Sequence, residues 1–365
     1  MQLQSNAAPH FAKRIVDKQH FNNLRQRVVE RVKTLPEQRL SQITTKAIIL
    51  PLIYFGVYIL ALQVENYKQF IICYGIMGLM VVVLFVNLIH EACHKNLFRG
   101  KFLNNLYVFL FDLLGANSYM WQKRHVKLHH NFTNVIGWDS DIEKSKFLKV
   151  HPSDKTKRFN LQTLMFLVYP FFIFNWFMFR DFRDYFNKKS IARKLGPVPA
   201  LEYFKLFLFK GAFVLYMVVL PAYVTGFPLA KTLLATFVML LAAGAFALVV
   251  LLPPHVNTGN QFPETDENMQ LSQSWLLHQL NTTNDVRESN WFTKFVMANF
   301  NFHLAHHLFP NISYVYAAEV TEEIKHYCAE NNLPYNCFPI KMTFINHYKL
   351  IRRNGGAMDI LEENM

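Results

Sequence analysis

Gln69-Phe-Ile-Ile-Cys-Tyr-Gly-Ile-Met-Gly-Leu-Met-Val-Val-Val-Leu-Phe-Val-Asn-Leu-Ile-His90-Glu-Ala-Cys-His94 is the stretch on which the reading of this chain turns. Its apolar part, residues 69–89, holds no charged residue and approaches the ~20 residues that cross ~30 Å of hydrocarbon. It then ends on two histidines four apart, a spacing that puts both side chains on one helix face. A membrane crossing that finishes in paired imidazoles places metal-binding groups at the mouth of a helix bundle.

Three further runs of the same kind, 47–63, 204–226 and 230–252, complete a set of four expected spans. They fall into two hairpins, joined by the short links Gln63-Val-Glu-Asn-Tyr-Lys68 and Thr225-Gly-Phe-Pro-Leu-Ala-Lys231. Residues 161–179 are also apolar, but are crowded with Phe, Tyr and Trp and contain Pro170 and Asn175. Such aromatics gather at membrane interfaces. Histidine clusters before and after this stretch must face one side of the membrane to share a site, and only an even number of crossings allows that. Residues 161–179 are therefore expected to lie flat or re-enter at the interface, and the shorter run 102–114 is read likewise.

Composition agrees. Hydrophobic residues make up 52% of the 365, charged residues only 17%, and there are 35 phenylalanines. Soluble domains carry about a quarter charged residues. The formal net charge of +13 suits an anionic membrane surface, an acidic redox protein or a phosphate-bearing carrier, and the apolar runs argue against nucleic acid as the partner. The hairpin links contribute only Lys68 and Lys231, whereas 1–46, 91–160, 180–203 and 253–365 are rich in Lys and Arg. By the positive-inside bias both termini and both large loops are cytosolic. Cys73, Cys93, Cys328 and Cys337 form no C-x-x-C pair and read as free thiols of a reducing compartment. The polar, basic start lacks an apolar core for a cleaved signal.

Eight of the fifteen histidines fall in three clusters: His90 and His94; His125, His129 and His130; and His303, His306 and His307. Members three or four apart converge on one ion, and the adjacent His-His pairs offer a neighbour to a second. Eight imidazoles exceed the needs of one ion and fit two close together. Imidazole serves zinc, copper, iron and nickel alike, so ligand type leaves the metal open. His255 follows the fourth span at the depth of His90 and is read as a ninth ligand. His278 is assigned a supporting role, and His10, His20, His151, His326 and His347 none.

These motifs resemble those of the membrane fatty acid desaturases. The similarity extends to Asn117-Ser-Tyr-Met-Trp121 before the second cluster and Asn131-Phe-Thr-Asn-Val-Ile-Gly-Trp-Asp139-Ser-Asp141-Ile-Glu143 after it. It continues in Trp275-Leu-Leu-His278-Gln-Leu-Asn-Thr-Thr283 before the third cluster and Leu308-Phe-Pro310 after it. The likeness is to the linoleoyl-CoA desaturase-like branch, related to front-end desaturases, and runs from about Phe11 to Arg353. It implies an all-α integral membrane fold: four transmembrane helices, interfacial helices and a cytosolic helical cap holding a diiron site. The unit spans residues 47–355, between an N-terminal segment 1–46 and a tail 356–365. The resemblance implies two non-haem iron ions, dioxygen as co-substrate and the eight clustered histidines as catalytic metal ligands, with His255 matching an additional one. It also implies a fatty-acyl substrate carried on CoA, on a carrier protein or in lipid.

The chain departs from the branch at His303, where Gln is frequent, at Ala305, where an acidic residue is common, and at Pro253 and Pro254. It has no haem-binding His-Pro-Gly-Gly, so electrons are expected from an external donor of ferredoxin or cytochrome b5 type. Glu91, Asp139, Asp141 and Glu143 are candidates to accept hydrogen bonds from the ligand imidazoles, with Glu91 read equally as a helix-surface charge. Asn117, Tyr119 and Trp121 are read either as lining an acyl tunnel or as packing at the interface. The active site is expected on the cytosolic face, of the inner membrane in a prokaryote. Two rivals remain open: the same centre hydroxylating fatty acid, alkane or carotenoid, and a non-enzymatic metal transporter or sensor. The second fits poorly, because transporters coordinate at mid-membrane and these histidines sit at one end.

Overall fold

A computed structural model describes residues 8–143, 147–153, 161–251 and 254–355. Pro253 and the tail 356–365 lie outside the described residues.

The chain is mostly helical. Helix α1 (Ile15–Lys33) precedes two long apolar helices, α2 (Ser41–Gln63) and α3 (Tyr67–Cys93), and two more follow later. Between the pairs come α4 (Lys101–Leu113), α5 (Ser118–Gln122) and α6 (Phe171–Phe186). Helices α7 (Ala200–Thr225) and α8 (Leu229–Leu251) follow. The C-terminal part holds α9 (Trp275–Thr282), α10 (His303–Leu308), α11 (Ala317–Glu330) and α12 (Ile340–Asn354). Two-residue parallel pairings tie His10–Phe11 to Gln270–Leu271 and Asp285–Val286 to Cys337–Phe338.

Local chemistry sets the ends of the long helices. The Asn66 side chain accepts the Lys68 N–H at 2.8 Å and starts α3. Gly226, at φ 71°, supplies the left-handed residue that ends α7. Helices α2, α3, α7 and α8 are long and apolar enough to cross a membrane. The first begins earlier than the sequence suggested, because a 3-10 turn extends it back to Glu37. Helix α3 does not stop at His90 either; it widens into a π turn at Phe85–Ile89 and runs on to Cys93.

Helix α3 is the most enclosed of the four and packs on both α2 and α8. Gly78 permits the contact with α8: a Cβ there would run into the Met239 carbonyl. With no hydrophobic drive between helices in lipid, such close backbone approach is what holds them. The aromatic stretch forms a bent pair, Gln162–Val168 and Phe171–Phe186, meeting at 76° beside Pro170. The bend rests on α8 at Gly244, where a Cβ would meet the Pro170 carbonyl. If the pair counted as a span, five helices would qualify by length and composition. Lys210 of α7 pins α6 in place through Asp181 at 2.6 Å. Helix α4 turns Phe102, Leu106, Phe109 and Leu113 outward while Asn104, Val108, Phe111 and Asp112 are buried. That apolar outer face is the one an interfacial helix presents to lipid.

Candidate metal centre

One π turn determines how the histidines of the second cluster are dealt out. In an α-helix His125 and His129 would share a face. The π turn Lys123–His129 instead closes the His130 N–H onto the His125 carbonyl, five residues back, at 3.0 Å. His125 and His130 therefore point together, and His129 points elsewhere. This corrects the expectation from α-helical spacing, which paired His125 with His129.

Two groups of ring nitrogens result, each gathered within 4.8 Å. The first is His90, His94, His125, His130 and His306. The second is His129, His255, His303 and His307. Each draws on both sides of the molecule: helix α3 and the second cluster meet helix α10, some 170 residues further along, at the His130–His306 Nε2 pair 3.0 Å apart. His255 joins the second group, with ring centroids 4.6 Å from both His303 and His307.

The donor set fits metal ions. In the first group His125 Nε2 stands 3.0 Å from His94 Nε2 and 3.1 Å from those of His90 and His130. Ligands at right angles around an ion, with metal–imidazole bonds of about 2.1 Å, stand about 3 Å apart. In the second group His255 Nε2, His303 Nδ1 and His307 Nε2 are buried and make no hydrogen bond. Orphaned buried nitrogens are costly unless an ion takes their lone pairs.

The outward nitrogens are held by acceptors that select the tautomer. His129 Nδ1–H donates to Asp139 at 3.1 and 3.2 Å. His255 Nδ1–H donates to the Thr282 carbonyl at 3.3 Å. His307 Nδ1–H donates to Gln279 Oε1 at 3.1 Å, and the Gln279 amide is oriented by donating to the His130 carbonyl at 3.0 Å. In His255 and His307 Nε2 is left as a lone pair aimed inward, and in His129 Nε2 is the one nitrogen free to face an ion. Burial, reinforced by neighbouring imidazoles, holds His125, His130, His303, His306 and His307 well below the usual imidazole range, so they are neutral and able to ligate. His129 differs: burial opposes its charge, but the Asp139 and Asp141 carboxylates prevail and raise it to about 9.

Of the other residues singled out above, Asp139 acts on His129 directly and Asp141 approaches the same Nδ1 at 3.6 Å. Glu91 is no surface charge; it is buried, 4.0 Å from His90 Nδ1, and accepts the Tyr314 N–H. Glu143 pairs with Arg124 at 3.0 Å and Arg183 at 2.7 Å and, among the described residues, is in neither histidine group. Asn117 caps α5 by accepting the Met120 N–H, and it takes the Tyr185 hydroxyl. Tyr119 lies beneath Lys123. Trp121 stacks flat on His125, 5.2 Å between centroids. His278 is buried edge-on to Phe11, outside both nitrogen groups.

The sequence reading missed Gln279, Asn134 and Asp285. Asn134 sits at φ 56°, a conformation Asn tolerates, and its backbone N–H reaches Asp139 while its amide reaches the His255 carbonyl. Asp285 accepts the Leu304 N–H and so fixes the start of α10. Gln279 lies one residue past His278, inside a stretch quoted above; a buried amide on the same helix turn was the available signal.

The sequence profile of the family described as "Fatty acid desaturase" matches residues 68–339, most of the chain and all three histidine clusters. The chain is 26% identical over 276 residues to a protein of Synechocystis sp. named sn-1 linoleoyl-lipid 6-desaturase, covering 74% of this chain and 76% of that one. It is 27% identical to the acyl-lipid (8-3)-desaturase of Physcomitrium patens, over 76% of this chain and 59% of the relative. With the acyl-lipid (8-3)-desaturase B of Dictyostelium discoideum it shares 22% identity over 95% of this chain and 78% of the relative. The chain belongs to the fatty acid desaturase family.

Proposed function

We propose that this protein inserts a double bond into the acyl chain of a membrane lipid, using two iron ions, dioxygen and electrons from a separate donor protein. As a fatty acid desaturase it is an oxidoreductase. The reaction removes two hydrogens from neighbouring methylenes; with two electrons and two protons from outside, dioxygen leaves as two waters. The observation that carries the reading is the meeting of nine histidines in two buried groups at one end of the apolar helices. The names of the relatives, acyl-lipid desaturases among them, favour a lipid-borne substrate.

Bound at the two groups, iron supplies the oxidising power that unactivated C–H bonds demand. Everything else falls to the chain. His90, His94, His125, His130 and His306 would hold one ion, and His129, His255, His303 and His307 the other. Asp139, Gln279 and the Thr282 carbonyl keep the imidazoles in the ligating tautomer. Burial of eight of these rings excludes bulk water from the reacting site.

The same convergence supports the topology read from the sequence. Nitrogens that meet across α6, α7 and α8 require an even number of crossings between them, so the bent pair at Pro170 re-enters rather than spans. Helices α2, α3, α7 and α8 then form two hairpins, with the histidines and the Lys- and Arg-rich segments on the cytosolic side. The catalytic unit comprises residues 47–355. Metal analysis of the protein purified from aerobic cells tests the centre: about two irons per chain are expected, with both lost when His130 and His307 are replaced by alanine. Stoichiometric zinc, with an acyl product still formed, would contradict the iron assignment.

A further inference from the structure

Helix α3 is mostly enclosed, yet it keeps one exposed stripe, Ile72, Ile76 and Leu79, spaced four and three residues apart. The same spacing continues through the half-buried Val83 to Val86 and Asn87, where the helix is covered. The cover is the segment 290–300, which links the lipid side of the molecule to the third histidine cluster. At its outer end Trp291 is 69% exposed and Phe295 50%, with Lys294 between them. At its inner end Phe300 lies 4.3 Å from the His303 ring and 5.5 Å from that of His90.

The segment is moored at the membrane ends of the helices. On one side Lys46 of α2 donates to the Phe295 carbonyl at 3.2 Å and to Asn87 Oδ1 at 2.7 Å. Asn87 of α3 donates in turn to the Val296 carbonyl at 2.9 Å. On the other side Phe292 packs against Phe246 of α8. Exposed aromatics beside a lysine, continuous with the apolar outer faces of α2 and α8, are what a bilayer interface takes up. Under the segment lies a cavity of about 30 Å³, reaching Val86, His90 and His306. That is room for a water or two and not for an alkyl chain, so from this side a chain reaches these histidines only if the cover moves. Ala298 and Asn299, consecutive residues at φ 49° and 55°, hold strained backbone at its inner end.

We propose that residues 290–300 form a lateral gate, through which the acyl chain of a bilayer lipid slides along the α3 stripe and beneath Trp291 and Phe295 to the histidine centre. This rests on the acyl-chain reading above and adds the route: the chain enters sideways from the leaflet while its headgroup stays at the interface. Trp291 and Phe295 are the lipid-facing edge of the gate, Lys46 and Asn87 its latch, Val83 the mouth of the passage and Val86 its floor.

The test is photo-cross-linking of the metal-loaded protein in phosphatidylcholine liposomes in which a fraction of the lipid carries a diazirine on its acyl chain. Peptide mass spectrometry should find adducts at Val86, which the closed gate covers, besides those on the openly exposed Leu208 of α7. Adducts on Leu208 and Trp291 with none at Val86 would overturn the gate. This readout does not depend on what the enzyme makes, so its failure is separate from failure of the desaturase reading. In the same liposomes Val83→Trp should lower turnover of the lipid-borne chain roughly ten-fold or more, with metal content unchanged, while Leu208→Trp keeps the rate. A Val83→Trp enzyme with full metal and an undiminished rate would also overturn it; if that variant does not fold, the cross-link map of the unaltered protein decides.

Discussion

Both carboxylate oxygens of Asp139 take the Nδ1 hydrogen of His129, at 3.1 and 3.2 Å, so that this imidazole can offer only Nε2 to an ion. The same carboxylate accepts the backbone N–H groups of Asn134 and Asp141 at 2.7 and 2.8 Å, which locks it in place. Asp139→Asn keeps the shape but removes the charge and lets the amide turn a donor toward Nδ1. Loss of such a partner costs about 10- to 100-fold in metal affinity or activity. The variant should retain the ion of the first group and lose that of the second on mild chelation, measured as metal per chain.

Gln279 does the same for His307 with a neutral acceptor. Gln279→Leu fills the space but leaves His307 Nδ1 free to exchange tautomers. Metal retention should fall about ten-fold or more, and Gln279→Glu, which still accepts, should restore much of it. Equal losses in both variants would show that Gln279 only packs.

Legibility differed sharply along the chain. Runs of apolar residues and clustered histidines carry their meaning in composition and spacing, so the four long helices and the eight clustered histidines could be read directly. His255 was legible because its place after the fourth span sets its depth. The sorting of the second cluster was not legible, because a π turn is a tertiary compromise with no residue signature at Lys123–His129. Glu143 was misjudged for a related reason: nearness in sequence to Asp139 says nothing of Arg124 and Arg183, which approach from elsewhere. His347, to which the sequence assigns no role, is fully buried and bridges Val256 and Tyr169.

His347 yields a pH prediction. Its Nδ1–H donates to the Val256 carbonyl and its Nε2 accepts the Tyr169 hydroxyl at 2.6 Å, a pattern only the neutral ring satisfies. Burial lowers it from 6.5 to about 4. The folded chain therefore binds fewer protons than the unfolded one, and this part of the stability is present above pH 6.5 and lost as the pH falls toward 4. At about 1.4 kcal/mol per tenfold the loss reaches roughly 3 kcal/mol. Thermal unfolding of His347→Gln beside the unaltered protein should show a gap that is wide at pH 7.5 and closes toward pH 4. A gap independent of pH would remove the titration argument.

Gly244 should be intolerant of any side chain, because its Cα faces the Pro170 backbone at the bend. Gly244→Ala should cost about 1–3 kcal/mol, read as a lower unfolding temperature in detergent. At Gly56 an added Cβ would have nothing within 4 Å, so alanine should be accepted there with a gain of up to about 1 kcal/mol.

The proposal that the nine converging histidines serve acyl desaturation can be decided on the acyl chains of living cells. Gas chromatography with mass detection would compare total acyl chains from cells expressing the unaltered protein or the His306→Ala, His307→Ala double variant. The unaltered protein should make a chain lighter by two hydrogens, with a double bond at one fixed position, and the variant should make none. A hydroxylated chain in its place, or the same unsaturated product from both proteins, would contradict the desaturase reading.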